Sequence, residues 1–155
     1  SKVSLIKTKE KDGYDSVQLS IAKTKNKEMK REFTMMGEDL KNDAMLNASV
    51  FEVGDKVKVS GITKAKGFQG VVKRHGFKGA PKSHGHKHDL RAPGSIGATY
   101  PEHVIKGKRM AGRMGGEKNT TKNLKIVFID KEKNIIGIKG AVPGIPGNIV
   151  EITAI

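Results

Sequence analysis

The alternation of apolar and polar residues marks six short segments of the chain as strands. The segments are Val3–Lys7, Tyr14–Ile21, Asp55–Ile62, Leu124–Ile129, Asn134–Lys139 and Asn148–Ile152. Successive side chains of a strand point to opposite faces, so a period of two predicts strands with one buried face. Val and Ile supply most of the apolar positions, as strands favour. The pattern therefore predicts a mainly β fold.

Turn residues separate these segments, and one helix is predicted between them. Asp12-Gly13 precedes one strand, Val53-Gly54-Asp55 opens another, Asp130–Lys133 forms a short hairpin connection and Pro143–Gly147 leads into the last strand. Lys27–Phe33 has the composition of a short helix, with a brief apolar period.

Six short strands with little helix favour a small closed β-barrel or a sandwich. We expect strands before residue 64 to pair with strands after residue 122. The predicted domains are a discontinuous β-barrel of residues 1–63 and 123–155 and an inserted extension of residues 64–122. Gly67–Lys73 and Asn119–Lys122 are expected to extend the flanking strands. For Phe68 we favour a structural role, sealing the barrel, over stacking on a nucleobase.

The charge of the chain is concentrated in the inserted segment. The 155 residues hold 30 Lys and Arg against 16 Asp and Glu, a net charge of +14. Residues 64–122 hold 14 Lys and Arg against 3 Asp and Glu, with all five His and 11 of the 19 Gly. Such a segment cannot bury a core of its own, so we expect a polyanionic partner to order it. A merely solubilising surface would mix both signs of charge.

Several classes of protein are disfavoured by what the sequence lacks. No stretch approaches the roughly 20 apolar residues that cross a bilayer, and Ser1–Glu10 has no apolar block of a signal peptide. The absence of Cys excludes disulfides, thiolate zinc sites and thiol nucleophiles. We expect neither a membrane nor a small-molecule substrate as a partner.

The basic segment combines three kinds of residue that suit folded RNA. Lys and Arg neutralise phosphates and release counterions, and Gly lets the backbone approach the sugar–phosphate chain. Phe77 and Tyr100 have rings that could stack on unpaired bases or anchor the chain locally. The residues predicted to bind RNA are Lys64, Lys66, Lys73, Arg74, His75, Lys78, Lys82, His84, His86, His88, Arg91, Gly94, Gly97, Lys106, Lys108, Arg109, Arg113 and Lys118.

Roles differ within this set. Gly94 and Gly97 are predicted to bring backbone close to RNA, and Arg91 and His75 to make polar contacts. The predicted phosphate contacts are Lys73, Arg74, Lys106, Lys108, Arg109 and Arg113.

Metal and enzymatic sites are weaker alternatives. Alternating histidines in Ser83–His88 could place imidazoles on one side, but the interleaved Lys87 opposes a dication. Gly112–Thr121 is glycine-rich without the spacing of a Walker A loop, and no motif gives His75 a catalytic partner. We therefore predict no metal, no cofactor and no catalytic residue. The remaining rival is a free-standing nucleic-acid-binding or RNA-processing protein.

Five ordered blocks resemble consecutive signatures of the L-three family of large-subunit ribosomal proteins, bacterial type. The blocks are Phe51–Val57, Gly67–His75, Arg91–Gly97, Lys106–Gly115 and Lys139–Gly144. The resemblance implies a translation-protein-type β-barrel whose extension penetrates the large subunit towards the peptidyl transferase centre. It further implies a structural protein that is not an enzyme. Such a protein binds large-subunit ribosomal RNA directly, supports subunit assembly, and touches neighbouring ribosomal proteins in a cytoplasmic or organellar ribosome.

The resemblance also places particular residues and marks two departures. It implies that Arg91–Gly97 lies in the inner part of the extension and that Lys106–Gly116 belongs to its returning limb. The family usually opens with a segment containing a Gly-Met-Thr motif, and this chain starts after it. Residues 23–50 resemble the family least and look shortened.

Overall fold

A computed structural model of the chain describes residues 1–24, 26–34 and 41–155. Residues 25 and 35–40, part of the stretch that resembled the family least, lie outside the described residues. The elements, in chain order, are β1 Lys2–Lys7, α1 Lys9–Asp12, β2 Ser16–Thr24, β3 Lys27–Thr34, a 3-10 turn Ala48–Val50, β4 Lys56–Ile62, β5 Phe68–Gln69, α2 Val71–His75, β6 Gly112–Arg113, β7 Lys118–Asp130, β8 Ile135–Lys139 and β9 Glu151–Ala154.

The predicted mainly β class is confirmed, and each of the six predicted strands overlaps an observed one. The last strand, β9, is displaced towards the carboxyl terminus. It begins at Glu151 rather than Asn148, because the N–H of Asn148 donates to the carbonyl of Ile145 in a turn. At the exit of the basic segment, Asn119–Lys122 extends β7 as predicted. At its entry, the strand ends at Gln69 and a short helix follows, so that part of the prediction was wrong.

The helix predicted at Lys27–Phe33 is also wrong, because this stretch is strand β3. It pairs antiparallel with β2 from Ser16↔Thr34 to Thr24↔Lys27. Met29 and Phe33 are its half-buried residues, and their spacing of four fits one face of a helix as well as one face of a strand. The ladder to β2 therefore decided between two structures that the local sequence allows.

The chain divides into two compact units. Unit 1 comprises Ser1–Val57 with Leu124–Gly140 and contains the antiparallel sheet β1-β2-β3. It also contains the β7–β8 hairpin, whose ladder runs from Lys125↔Lys139 to Asp130↔Ile135. Its core is aliphatic, and its buried apolar side chains are Val3, Val17, Ala48, Val57, Leu124 and Ile126.

Unit 2 comprises Lys58–Asn123 with Ala141–Ile155. It contains the two-stranded ribbon β5–β6, helix α2 and strand β9, and its buried apolar residues are Val59 and Val71. Gly61 of β4 lies where a Cβ would meet the carbonyl oxygen of Pro143 and the side chain of Val150. The glycine therefore lets β4 lie close to the segment that leads into β9.

The closed barrel was not found among the described strands. They form three sheets, of order β1-β2-β3, β8-β7-β4-β9 and β5-β6, and none of these pairings closes on itself. The physical reason is local: β1, β2 and β3 follow one another along the chain and pair with one another rather than with strands of the other two sheets. No helix in the described part of the chain has the length and apolarity needed to cross a membrane.

Candidate nucleic-acid interface

The basic segment leaves and returns along one ladder of backbone hydrogen bonds. The N–H of Thr63 donates to Glu117 O at 3.0 Å, and the N–H of Lys66 donates to Met114 O at 2.9 Å. The ladder continues into the ribbon, where Phe68 pairs with Arg113 and Gln69 with Gly112. We call residues 63–75 the outgoing limb and residues 106–118 the returning limb.

Two glycines of the returning limb allow this close approach. Gly115 has φ +72, and a Cβ there would run into the carbonyl of Lys64. A Cβ at Gly112 would lie 2.7 Å from a guanidinium nitrogen of Arg74. The glycine content of the segment is therefore partly used inside the protein, where the two limbs meet.

Arg74 and His75, both predicted RNA contacts, hold the returning limb. Helix α2 ends at His75, with Gly76 in the left-handed conformation as its cap. Nη1 of Arg74 donates to Met110 O at 2.8 Å, and Nε2 of His75 lies 3.0 Å from the same oxygen. Both side chains are half-buried. A guanidinium has five N–H donors, so Arg74 can bind a second group while it keeps this contact.

The other predicted contacts are exposed. They are Lys64, Lys66, Lys73, Lys78, Lys82, His84, His86, His88, Arg91, Gly94, Gly97, Lys106, Lys108, Arg109, Arg113 and Lys118. The structure describes all of residues 64–122. Among the lysines and arginines of this described segment, Lys118 alone has a carboxylate within salt-bridge distance, that of Glu151 at 2.7 Å. An array of like charges with few carboxylates to balance it favours association with a polyanion.

The histidines do not gather around a common point. Nδ1 of His86 lies 3.9 Å from a carboxylate oxygen of Asp89, and Nδ1 of His103 lies 3.0 Å from Pro101 O. In the described residues, no three His, Asp or Glu side chains are grouped as metal ligands. His86 and Asp89 instead help to line an open cleft of about 600 Å³, together with Phe77 and Gly94.

The prediction that Phe68 seals a barrel is wrong. Its side chain is 76% exposed, so it does not seal a barrel. It lies on a ribbon of two residues per strand, which is too short to provide a covering sheet face. Tyr100 is similarly exposed, whereas Phe77 is half-buried with its ring centroid 6.0 Å from that of His75. The signal available in the sequence was the position of Phe68 directly after Lys66-Gly67.

Comparison with known proteins gives a consistent set of similarities. The family model described as Ribosomal protein L3 matches residues 24–143. The chain is 40% identical over 173 residues to the large ribosomal subunit protein uL3 of Chlorobium phaeobacteroides (strain BS1), covering 98% of this chain and 83% of that one. It is 43% identical over 165 residues to uL3 of Streptococcus pyogenes serotype M1, covering 95% and 78%.

A plant relative extends the comparison. The chain is 42% identical over 172 residues to the large ribosomal subunit protein uL3c of Arabidopsis thaliana, covering 97% of this chain and 63% of the relative. These aligned stretches are longer than the 155 residues of the chain, so the relatives carry additional residues inside the matched region. The family match begins at residue 24 and so includes most of the stretch in which we recognised least resemblance.

Proposed function

The chain belongs to the ribosomal protein L3 family, and from this premise we propose that it is a structural component of the large ribosomal subunit that binds ribosomal RNA directly. The basic segment, residues 64–122, is the proposed binding element. The observation that carries the proposal is its exposed array of cations, in which Lys118 alone has a carboxylate partner. The other cations are available for phosphates, which they would neutralise with release of counterions.

The two limbs give this binding element its proposed mechanism. Backbone pairing from Thr63 to Gln69 and the contacts of Arg74 and His75 with Met110 O order the base of the segment before RNA arrives. Because the two limbs are already ordered, they lose less conformational entropy on binding RNA than a free loop would. Exposed Lys106, Lys108 and Arg109 lie on the returning limb, where they would follow the sugar–phosphate backbone.

Further parts of the proposal follow the family resemblance. We propose the domain division into residues 1–63 with 123–155 and the RNA-penetrating extension 64–122, with a translation-protein-type barrel in the assembled particle. The extension would reach towards the peptidyl transferase centre, support subunit assembly and touch neighbouring ribosomal proteins. In this role the chain needs no cofactor and carries out no catalysis. The ribosome would be that of the cytoplasm or of an organelle.

Sedimentation tests the proposal. A tagged copy expressed in cells should migrate with large ribosomal subunits in a sucrose gradient and stay there through a high-salt wash, because a segment enclosed by folded RNA is hard to extract. A limb triple variant, Lys106→Gln, Lys108→Gln and Arg109→Gln, should reduce this retention. A hairpin triple variant, Lys125→Gln, Lys131→Gln and Lys133→Gln, removes the same charge from three other exposed lysines and should leave retention unchanged.

The opposite result identifies the rival function. If the tagged chain stays at the top of the gradient in both salt conditions, the ribosomal assignment is wrong. Equal affinity of that chain for RNA and DNA would then indicate a free-standing nucleic-acid-binding protein, and turnover of RNA would indicate a processing enzyme.

A further inference from the structure

An aromatic ring is exposed to solvent where the two limbs of the basic segment pair. Phe68 is 76% exposed. Its neighbours along both limbs are exposed cations, Lys64, Lys66 and Arg113. A single exposed apolar side chain is ordinary on a protein surface. Phe68 differs because the residue opposite it in the ladder is Arg113, whose guanidinium group is also flat and delocalised.

The geometry of the ribbon places the two side chains together. Phe68 and Arg113 are directly opposite each other in the antiparallel β5–β6 ladder. Residues in such a pair project from the same face with Cβ atoms about 4.5–5.5 Å apart. The N–H of Met114 donates to Gly67 O at 3.0 Å and the N–H of Lys66 donates to Met114 O at 2.9 Å. These hydrogen bonds hold the backbone on both sides of the pair.

The chemistry of the pair points to a nucleobase. Every base has a flat π face, which stacks on aromatic rings and on guanidinium planes. The exposed ammonium groups of Lys64 and Lys66 on the same limb suit the phosphates on either side of that base. An apolar protein surface would cover the ring but leave these cations without counter-charges, so the observations favour a nucleic acid.

We propose that Phe68 and Arg113 form a stacking site for one unpaired base of RNA. The site deepens the proposed function, on which it rests, because it adds recognition of a base to the binding of phosphates. The unpaired base would lie on the Phe68 ring with the Arg113 guanidinium beside or over it. Stacking accepts any base, so the site would select single-stranded or bulged nucleotides over regular helix rather than a particular sequence.

The natural chain lacks Trp, which makes a direct measurement possible. A Phe68→Trp variant of the full chain has one tryptophan, at the proposed site. Its fluorescence should be quenched by a short single-stranded oligoadenylate and unchanged by an abasic oligomer of the same length and charge. Phe128→Trp is the matched control, since Phe128 is an exposed phenylalanine on β7 whose ladder partner is Gly137 rather than a cation. Its fluorescence should respond to neither oligomer.

Affinity gives a second measurement. Phe68→Leu should weaken oligoadenylate binding by about 5- to 150-fold, the range for loss of a base-stacking aromatic residue, and should leave abasic binding unchanged. Phe68→Trp should retain wild-type affinity. Arg113→Lys keeps the charge but loses the guanidinium plane, so it should weaken oligoadenylate binding more than abasic binding. Leu at an exposed position should not disturb the fold.

The outcomes separate this site from the proposed function. If wild type binds both oligomers while Phe68→Leu changes neither affinity and Phe68→Trp fluorescence does not respond, RNA binding stands and the stacking site is wrong. The stacking site is also wrong if Phe68→Leu weakens binding of both oligomers equally. If wild type binds neither oligomer, the stacking site for unpaired bases is wrong, and retention on large subunits in the sucrose gradient decides the proposed function separately.

Discussion

Individual glycines decide how closely the two limbs approach. Gly115 combines a left-handed backbone with a position directly against the carbonyl of Lys64. Gly97 has neither property, since the nearest atom to its would-be Cβ is His103 O at 4.0 Å and its φ lies outside the left-handed range. Glycine is therefore required for packing of the limbs at position 115, whereas position 97 has room for a side chain.

This difference predicts opposite effects of alanine. Gly115→Ala should destabilise the protein by about 1–3 kcal/mol, because the methyl group adds a backbone clash to a conformation that L residues rarely adopt. Urea unfolding of both variants is the measurement. Gly97→Ala is the control and should unfold like wild type. A loss of stability at Gly97 equal to that at Gly115 would contradict the assignment of Gly115 to limb packing.

At the level of elements, helix α2 forms the end of the outgoing limb and contacts the returning limb. Arg74 and His75 at its end share Met110 O as their acceptor. These contacts use side chains that were predicted to bind RNA. Their first role in the structure is to position the returning limb, on which exposed Lys106, Lys108 and Arg109 lie.

Loss of the arginine contact should loosen that limb. Arg74→Met removes a hydrogen bond from a charged donor, which typically contributes about 1.5–3 kcal/mol, and should speed amide hydrogen exchange in residues 106–114 by about tenfold or more. Mass spectrometry of the peptides reports the exchange. Arg91→Met, a change at an exposed arginine of the same segment, should leave it unchanged. Equal protection in Arg74→Met and wild type would show that the contact does not hold the limb.

A polar cluster on the β1-β2-β3 sheet is the second feature at this scale. Nζ of Lys7 lies 2.8 Å from Glu32 Oε1 and donates to the hydroxyl of Tyr14 at 2.6 Å. That hydroxyl donates to the other oxygen of Glu32 at 3.1 Å. The hydrogen bond from Lys7 lowers the pKa of Glu32 below its ordinary 4.5, and Glu32 in turn raises the pKa of Lys7 above 10.5.

The cluster predicts a defined pH dependence. The depressed pKa of Glu32 means that its contribution is complete above pH 4.5 and is lost as the pH falls through the folded-state pKa. The raised pKa of Lys7 means that its contribution is complete below pH 10.5 and is lost as the pH rises through the folded-state pKa. Glu32→Gln should therefore lower stability at neutral pH and flatten its acid dependence.

Urea unfolding across the acid range checks this. Glu10→Gln, a change at an exposed carboxylate of α1, is the control and should keep the wild-type profile. If the profile of Glu32→Gln also matches that of wild type, the cluster contributes nothing measurable to stability.

At the scale of the whole molecule, the location of charge governs binding. The net charge is +14, and residues 64–122 have 14 Lys and Arg against 3 Asp and Glu. Because each phosphate contact releases counterions, affinity for RNA should fall steeply with salt concentration. The slope of this salt dependence gives the number of phosphate contacts.

The limb triple variant should therefore flatten the salt dependence. Removing three phosphate contacts should reduce the slope of log K against log salt by about 2–3. Titration of RNA at several salt concentrations gives the slope. The hairpin triple variant, with the same net charge, should keep the wild-type slope. Equal reductions in both variants would mean that net charge, rather than the returning limb, sets the affinity.

The fold was partly predictable, and the wrong predictions for β3 and Phe68 have a common cause. Strands β1, β4, β7 and β8 were found because their alternation is a local property of the chain. Strand β3 was missed because Lys, Glu and Arg favour a helix locally and only pairing with β2 overrides them. Phe68 was expected to be buried because its strand was expected to join a large sheet, whereas it belongs to a two-stranded ribbon.

The sequence by itself determined the β class, the concentration of charge in residues 64–122, and the blocks that mark the family. These properties depend on residue type and order along the chain, so no partner strand is needed to reveal them. Only the tertiary structure decided which strands pair, that Arg74 and His75 bind Met110 O, and that Phe68 faces Arg113. The contacts of Arg74, His75 and Phe68 join residues more than 30 positions apart in the chain, and they exist only where backbone hydrogen bonding brings the two limbs together.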